Sequence, residues 1–430
     1  MCRRPAAVPA RGGSPDQPMD SPRRKRARGL PARTFRSFRY RNFRWLWFGA
    51  FTSTTGYFVA NVAESWYIYE QTGSESLLGL TAFLNGLPIL LFSVVGGVLA
   101  DRMDRRYLLI CSQILQMTAS LALAALFFAD SVEVWHILAA AFLAGLGQAF
   151  GGPAYQALIP SLVPKKHLSN AIALISIQFN LAGTVGKPIG GAVFKFLGPA
   201  MCFLVNGLSF LAVIGSLLTL KIPFTPKAGH KNIFRSLLEG FRSIHASLAL
   251  RSLMALAVVS AFCGVPINLL LPVFASDVYG LDAGGFGVMG SVLAVGAVLG
   301  ALFVASLGDA PRKGNKALTM QSLLGLATIG FALSSTLWFG MPLLFFSGGA
   351  ILGVFTLVSS LVQLNLSEEL RGRIMSVYNT AFRGVMPLSN LSCGLAADKI
   401  GARSVLGING AILVAVSLLY VLSGNVVNKL

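Results

Sequence analysis

Glu64, Lys187 and Arg383 each fall inside a long apolar stretch of the chain, where ionisable groups are costly. A charge at a bilayer centre costs about 2.5–3.5 kcal/mol on insertion scales, so a charge retained there is a candidate for function. A carboxylate such as Glu64 can take up and release a proton. Glu64 and Lys187 lie at similar depth toward the outer third of their stretches. A lysine at that depth can compete for the charge of Glu64 as an ion-pair partner where the two helices are neighbours; the alternative is a Glu64 wetted near a helix end. Arg383, near the middle of its stretch, has the chemistry to hold an anionic catecholate or carboxylate, or to bond helix carbonyls. Seven amides in apolar stretches, Asn85, Gln148, Gln178, Asn180, Asn268, Gln363 and Asn379, are candidates for lining a cavity or for joining helices.

Catalytic constellations are not found. The four histidines offer no His-Glu-x-x-His or other zinc spacing, and no Gly-x-x-x-x-Gly-Lys-Ser/Thr phosphate loop occurs. Gly183 to Lys187 has the wrong spacing and is followed by Pro188. Cys111, Cys202, Cys263 and Cys393 lie in apolar stretches and Cys2 in a polar tail, so they read as small core residues without disulfide or ligand spacing. The expectation is a non-enzyme without cofactor or metal.

The elements that position these groups follow from composition. The 430 residues are 54% hydrophobic and 12% charged, against about a quarter charged in soluble domains, and the mean hydropathy is +0.69. The surplus apolar surface must face lipid, where only helices and closed barrels satisfy the backbone. Long continuous apolar runs exclude the ten-residue alternation of a barrel. They predict an all-α integral membrane protein with twelve transmembrane helices near 43–70, 76–99, 107–129, 134–157, 169–195, 200–222, 251–278, 284–307, 317–339, 341–364, 373–397 and 402–423.

Thirty of the thirty-five Lys and Arg residues fall in the N-terminal arm and the alternate connections that share its side. That asymmetry predicts both termini on the cytoplasmic side of the cell (inner) membrane and argues against nucleic acid as the reason for a net charge of +19. Residues 1–41, rich in Pro, Gly, Ser and Arg, read as a disordered basic arm that touches anionic lipid. The interval 223–250 spaces Ile233, Leu237, Leu238, Phe241, Ile244 and Leu248 as a helix lying in the interface would. It separates six-helix bundles at 42–222 and 251–430. Leu168 to Leu174 echoes Leu370 to Ser376 at an offset of 202, and two pseudo-symmetric halves of six spans are a transporter architecture. Close glycines such as Gly147 and Gly151, or Gly296 and Gly300, suit helices that slide on one another. His136 and His167 sit at span edges and read as solvated.

The connection after the second span reads Gly97-Val-Leu-Ala-Asp101-Arg102-Met-Asp104-Arg105-Arg106. It resembles the cytoplasmic signature of the major facilitator superfamily. The resemblance implies that Gly97 permits close helix approach, that Asp101 meets a helix N-terminus or an arginine of the other half, and that Arg102, Arg105 and Arg106 close the inner gate. Asp104 stands where the commonest form has a second glycine. The corresponding loop, Gly308 to Lys316, keeps basic charge and loses the signature.

Across 36–423 the resemblance narrows to the secretion effectors that include enterobactin exporters and macrolide efflux proteins. It is carried by RNFR (Arg41 to Arg44), YEQTG (Tyr69 to Gly73), LGPAMCFLVNGLSF (Leu197 to Phe210), ELRGRIMS (Glu369 to Ser376) and YNTAFRGVMPL (Tyr378 to Leu388). The Gly-Pro-x-x-Gly-Gly element of exporters corresponds to Gly186, Lys187, Pro188, Ile189, Gly190 and Gly191, with lysine in place of the proline. The implied activity is monomeric, proton-coupled antiport that exports a siderophore, macrolide or other small amphipathic drug by alternating access. An uncoupled facilitator or an importer of a small metabolite is the alternative.

Overall fold

The computed structural model describes residues 35–220, 241–307, 312–366, 368–424 and 426–429. Among the described residues there are twelve long helices and no strand. They are α1 (Arg41–Thr72), α2 (Glu75–Arg102), α3 (Arg105–Phe128), α4 (Val134–Leu158), then α5 and α6 within Leu168–Thr219. The second half holds α7 (Leu248–Val278), α8 (Ala283–Ser306), α9 (Lys313–Leu333), α10 (Leu337–Leu364), α11 (Glu368–Ile400) and α12 (Ala402–Leu422). One residue turns α5 (168–197) into α6 (199–219): Gly198 has φ 81° and ψ 173°, a conformation side chains avoid, and Pro199 then starts α6 with its φ already set.

Among the described residues, nine helical stretches are long and apolar enough to cross a membrane, with α5 and α6 counted as one. The two helices outside that set, α1 and α11, contain Glu64 and Arg383 and lie along the seam described below. The chain is a multi-pass membrane protein.

The helices match the expected spans in number and order; the largest shifts are at the start of α11, Glu368 rather than 373, and between α9 and α10, where the break lies at Ser334–Thr336 rather than at Gly340. Ser334 and Thr336 take extended backbone as the end of α9 and the start of α10. Ser334 Oγ donates to the Phe331 carbonyl at 2.7 Å. Gly340 instead sits inside α10, where a Cβ would collide with the Tyr279 ring. Residues 35–41 of the arm are structured: Arg36–Arg39 forms a turn, buried Ser37 donates to Asn170 Oδ1 at 2.8 Å, and Phe38 meets the Trp47 ring edge-on at 5.0 Å. The rest of the arm, the interval 221–240 and Gly308 to Pro311 lie outside the described residues. In the interval's last part, Ile244 is buried against the core of the second half.

Asp104 caps α3, its Oδ1 accepting from the Arg106 N–H at 2.9 Å. The aspartate that departs from the common signature thus binds one of the helix's orphan donors. Asp104→Ala is expected to cost about 1 kcal/mol and Asp104→Gly a few tenths. Thermal unfolding in detergent reads the difference, and equal losses would dismiss the cap.

Two helix pairs join the halves, α2 with α11 and α5 with α8, and they are built alike. A Cβ on Gly79 of α2 would lie 2.7 Å from the Asn390 carbonyl and 3.1 Å from Gly394 Cα. On Gly287 of α8 it would lie 2.5 Å from the Lys187 carbonyl and 3.3 Å from Gly191 Cα. Backbones this close need the smallest residue, and the repetition shows the two-fold relation of the halves.

Candidate functional site

The two ends of the molecule differ. At the end bearing the α2–α3 and α4–α5 connections, here the basic end, each half has its own apolar core. One gathers Phe43, Leu109, Leu158 and Leu217, the other Leu253, Leu318, Leu357 and Ile374. At the opposite end a single core runs through both halves, from Val62, Trp66 and Phe203 to Phe274, Phe286 and Leu406. Trp66 stacks on Phe286 across the seam at 5.9 Å.

Polar contacts close the same end. Asp398 at the end of α11 accepts from the backbone N–H groups of Glu75 and Ser76 at 2.8 and 3.1 Å and from Ser74 Oγ at 3.2 Å. A carboxylate there meets the positive end of α2. The Tyr69 hydroxyl of α1 donates to Asp277 of α7, and Lys195 of α5 pairs with Asp282, the cap of α8, at 2.8 Å. Lys195 holds the Asp282 carboxyl below its ordinary range, chiefly by its hydrogen bond. The pair therefore stabilises this closure above the usual carboxylate pKa, and the contribution disappears as pH falls through the lowered value. Both side chains are about half exposed, so the pair is worth about 0.2–1 kcal/mol. Asp282→Asn keeps an acceptor for the cap and should lower the unfolding temperature by no more than that pair is worth, with no remaining salt dependence at this contact. A larger loss would assign the residue a different role.

Toward the basic end the seam parts. Gly79, Gly86, Leu90 and Gly97 share one face of α2. Gly79 meets Asn390 and Gly394, Gly86 meets Pro387, and Leu90 meets Gly384, but nothing lies within 4 Å of a Cβ on Gly97. The expectation of a close approach at Gly97 is not met in this state. The neighbouring Gly96 packs on the Ala149 carbonyl of α4, while Gly97 looks into the parted seam. In the same connection Asp101 lies 3.9 Å from Arg105, and Arg105 donates to the Ala157 carbonyl at 2.9 Å. Arg106 donates to the Leu220 carbonyl and Arg102 is exposed. These arginines tie α2, α3, α4 and α6 of one half together.

Cavities occupy the parted seam. One of about 320 Å³ lies between α2, α4 and α11, lined by Ser93, Gln148, Gln156, Asn379 and exposed Arg383. Asn379 also borders a cavity of about 620 Å³ between α10 and α11, with Gln363, Ser359, Phe355, Tyr378 and Phe382. Toward the closed end a third, of about 230 Å³, is enclosed by α1, α2, α7 and α11 and lined by Tyr57, Asn61, Glu64, Thr81, Asn85, Asn268 and Asn390.

Glu64 and Lys187 are not brought together. Lys187 Nζ lies 3.4 Å from both Asn268 Oδ1 and the Gly290 carbonyl, 6.0 Å from the Phe58 ring centre, and Glu64 has no ion-pair partner among the described residues. Asn268, which shares the Glu64 cavity, stands between them. Gln178 joins α5 to α1 by donating to Thr54 Oγ1 at 3.0 Å, and Asn180 bonds back to the Ser176 carbonyl at 2.8 Å. The other five amides line cavities. Tyr57, Asn61, Thr81 and Asn390 were not among the sequence candidates; Asn61 and Glu64, one turn apart on α1, carry the missed signal. The closing contacts of Asp277, Asp282 and Asp398 were also unread, although carboxylates collected in the connections opposite the basic ones.

The arrangement is a two-half carrier with a central seam open at one end, and residues 32–426 match the profile described as transmembrane secretion effector. The chain belongs to that family. This secretion effector is 23% identical over 387 residues to macrolide efflux protein A of Streptococcus pyogenes, covering 87% of this chain and 93% of the relative. It is 27% identical to enterobactin exporter EntS of Escherichia coli O1:K1 / APEC, covering 87% and 86%. Among solved structures it resembles a bacterial homologue of the human lysosomal transporter Spinster, in an inward-facing and unoccupied conformation, with a TM-score of 0.69 and 16% identity over 92% of this chain and 97% of that one. That likeness bears on the fold. The secretion effector is a major facilitator transporter and not an enzyme.

Proposed function

We propose that this transporter exports small amphipathic molecules of the macrolide, siderophore or drug class from the cytoplasm across the cell (inner) membrane, by alternating access coupled to proton entry. The observation that carries the reading is the seam between the halves, parted at the basic end and closed at the other by α2–α11 and α5–α8 contacts. With the basic connections in the cytoplasm, this state receives substrate from inside. Phe355, Tyr378 and Phe382 offer apolar faces, Gln148, Gln363 and Asn379 offer hydrogen bonds, and Arg383 accepts an anionic group.

Gly97, Asp101, Arg102, Arg105 and Arg106 act when the basic end closes, Gly97 meeting α11 as Gly79 already does. Glu64, at the end of the cavity nearest the closed side, exchanges the proton. Asn268 relays its state to Lys187, which bonds α8 across the seam. One charge crossing 100 mV supplies about 2.3 kcal/mol.

The experiment is accumulation of a macrolide, a catecholate siderophore and ethidium in everted membrane vesicles with and without an uncoupler, beside topology tags at Arg105 and Arg312. Uptake of at least one probe that collapses on uncoupling, with both tags cytoplasmic, is expected. Uptake that ignores the uncoupler means facilitated passage, and tags on opposite faces defeat the reading.

A further inference from the structure

A second, smaller cavity of about 40 Å³ lies wholly within the first half, between α1, α2, α3, α4 and α6, and Glu64 borders it as well as the seam cavity. Its polar lining includes Tyr57, Asn61, Asn85, Gln116 and Asn206. Three of those amides have their orientation fixed from behind. Asn85 Nδ2 donates to the Ala141 carbonyl at 3.3 Å, and Gln116 Nε2 donates to the Ser112 carbonyl at 3.2 Å. Asn206 Nδ2 donates to Ser120 Oγ at 3.0 Å, and that hydroxyl is already committed as a donor to the Phe203 carbonyl at 2.8 Å, so it can only accept. One hydrogen of each NH₂ is thereby engaged behind the cavity, and each of the three side chains keeps its oxygen as an acceptor. Asn206 is only 7% exposed and its Oδ1 is buried without a partner, a state that costs about 1–3 kcal/mol.

A pocket with one carboxylate, a buried amide oxygen that lacks a partner and no basic side chain calls for a positive ligand. No lysine, arginine or histidine lines it: α2, α3, α4 and α6 present only neutral groups, and α1 adds Tyr57 as the sole other titratable side chain. In the adjoining seam cavity, α7 and α11 present Val265, Asn268, Leu269 and Asn390, again uncharged. The volume suits one ion or one water with its proton, since a water needs about 10–15 Å³ by this measure, and excludes a drug-sized molecule. The geometry points to a binding site for one small monovalent cation, a proton carried on Glu64 or water or else Na⁺, held by the Glu64 carboxylate and the amide oxygens of Asn85, Gln116 and Asn206. This deepens the coupling role proposed for Glu64: the ion has a compartment within the first half, and Glu64, with Tyr57, Asn61 and Asn85, forms the wall that it shares with the 230 Å³ seam cavity.

The test needs neither substrate nor gradient, so its failure is distinguishable from failure of the export reading. The full chain, reconstituted in lipid, is titrated with pH in infrared difference spectroscopy, and the carboxylic C=O band lost in Glu64→Gln is followed in NaCl and in choline chloride of equal ionic strength. Asn206→Leu removes an acceptor from the protonated acid and is expected to lower the band's midpoint by about one pH unit, a tenfold loss of proton affinity. Ser120→Ala frees the Asn206 NH₂ to turn inward and should move the midpoint the same way while keeping Asn206 in place. A midpoint that falls in NaCl identifies Na⁺ as a competing occupant; one indifferent to NaCl but sensitive to both variants identifies the proton. A midpoint unmoved by either variant and by Na⁺, or no Glu64 band and no Na⁺ effect, overturns the site and leaves a pocket that holds water only.

Discussion

Glu64→Gln is expected to uncouple transport while leaving the protein folded. One proton entering down one pH unit supplies about 1.4 kcal/mol, enough for about tenfold accumulation of a neutral substrate. In the variant that ratio should fall to about one, while exchange of labelled for unlabelled substrate across the same vesicles continues. Folding is spared because glutamine matches the volume of glutamate, and because Glu64 has no ion pair among the described residues whose loss would strand a buried charge. Uptake against a pH gradient in proteoliposomes measures it. Full pH-driven accumulation by the variant would remove Glu64 from the coupling mechanism.

Gly394→Val should act on the conformation itself. A Cβ on Gly394 would lie 2.5 Å from the Glu75 carbonyl and 2.9 Å from Gly79 Cα, and valine adds two methyls to that collision. α2 and α11 must then separate where Asp398 grips Ser74, Glu75 and Ser76. Overpacking of this kind costs about 1–3 kcal/mol, and the cost falls only on the state closed at this end, so the balance shifts toward the state open there by about 5- to 150-fold. A cysteine at Thr81, which lines the 230 Å³ cavity, would report the shift as faster labelling by a membrane-impermeant maleimide added from outside. Gly394→Ala should fall between parent and valine. Unchanged labelling in a folded Gly394→Val protein would mean that this crossing does not govern closure.

The twelve helices were legible in the sequence because each requirement is local. A span must be apolar for its whole length, its ends need caps and breakers such as Gly198-Pro199, and its connections sort by charge. The α9–α10 boundary was misplaced because glycine is a weak stop inside an apolar run, whereas Ser334 and Thr336 have backbone and side-chain reasons to leave the helix. Asn85 and Asn268 stand out as candidate cavity residues, and Glu64 as a candidate proton site, because an ionisable or amide group in an apolar helix is conspicuous. What they face was not legible. Lys187 reaches Asn268 and Gly290, respectively 81 and 103 residues away, and Ser74 meets Asp398 across 324 residues, separations that carry no periodic signal. Gly97 was visible as a signature glycine, but nothing lies within 4 Å of a Cβ there while the seam is parted.

The two clasps at the closed end occupy corresponding places in the repeated architecture yet differ in kind. One is a pair of flexible, half-exposed charges, Lys195 and Asp282; the other is a carboxylate seated on a helix terminus by directed backbone bonds. Dissolved ions weaken the first far more than the second, because attraction between exposed charges fades over about 10 Å in 0.1 M salt. The molecule should therefore unfasten like a lid with one stiff and one loose catch, starting along α5 and α8 and pivoting about α2 and α11. In saline surroundings its outward mouth would widen first on one flank, and cargo would leave by that side.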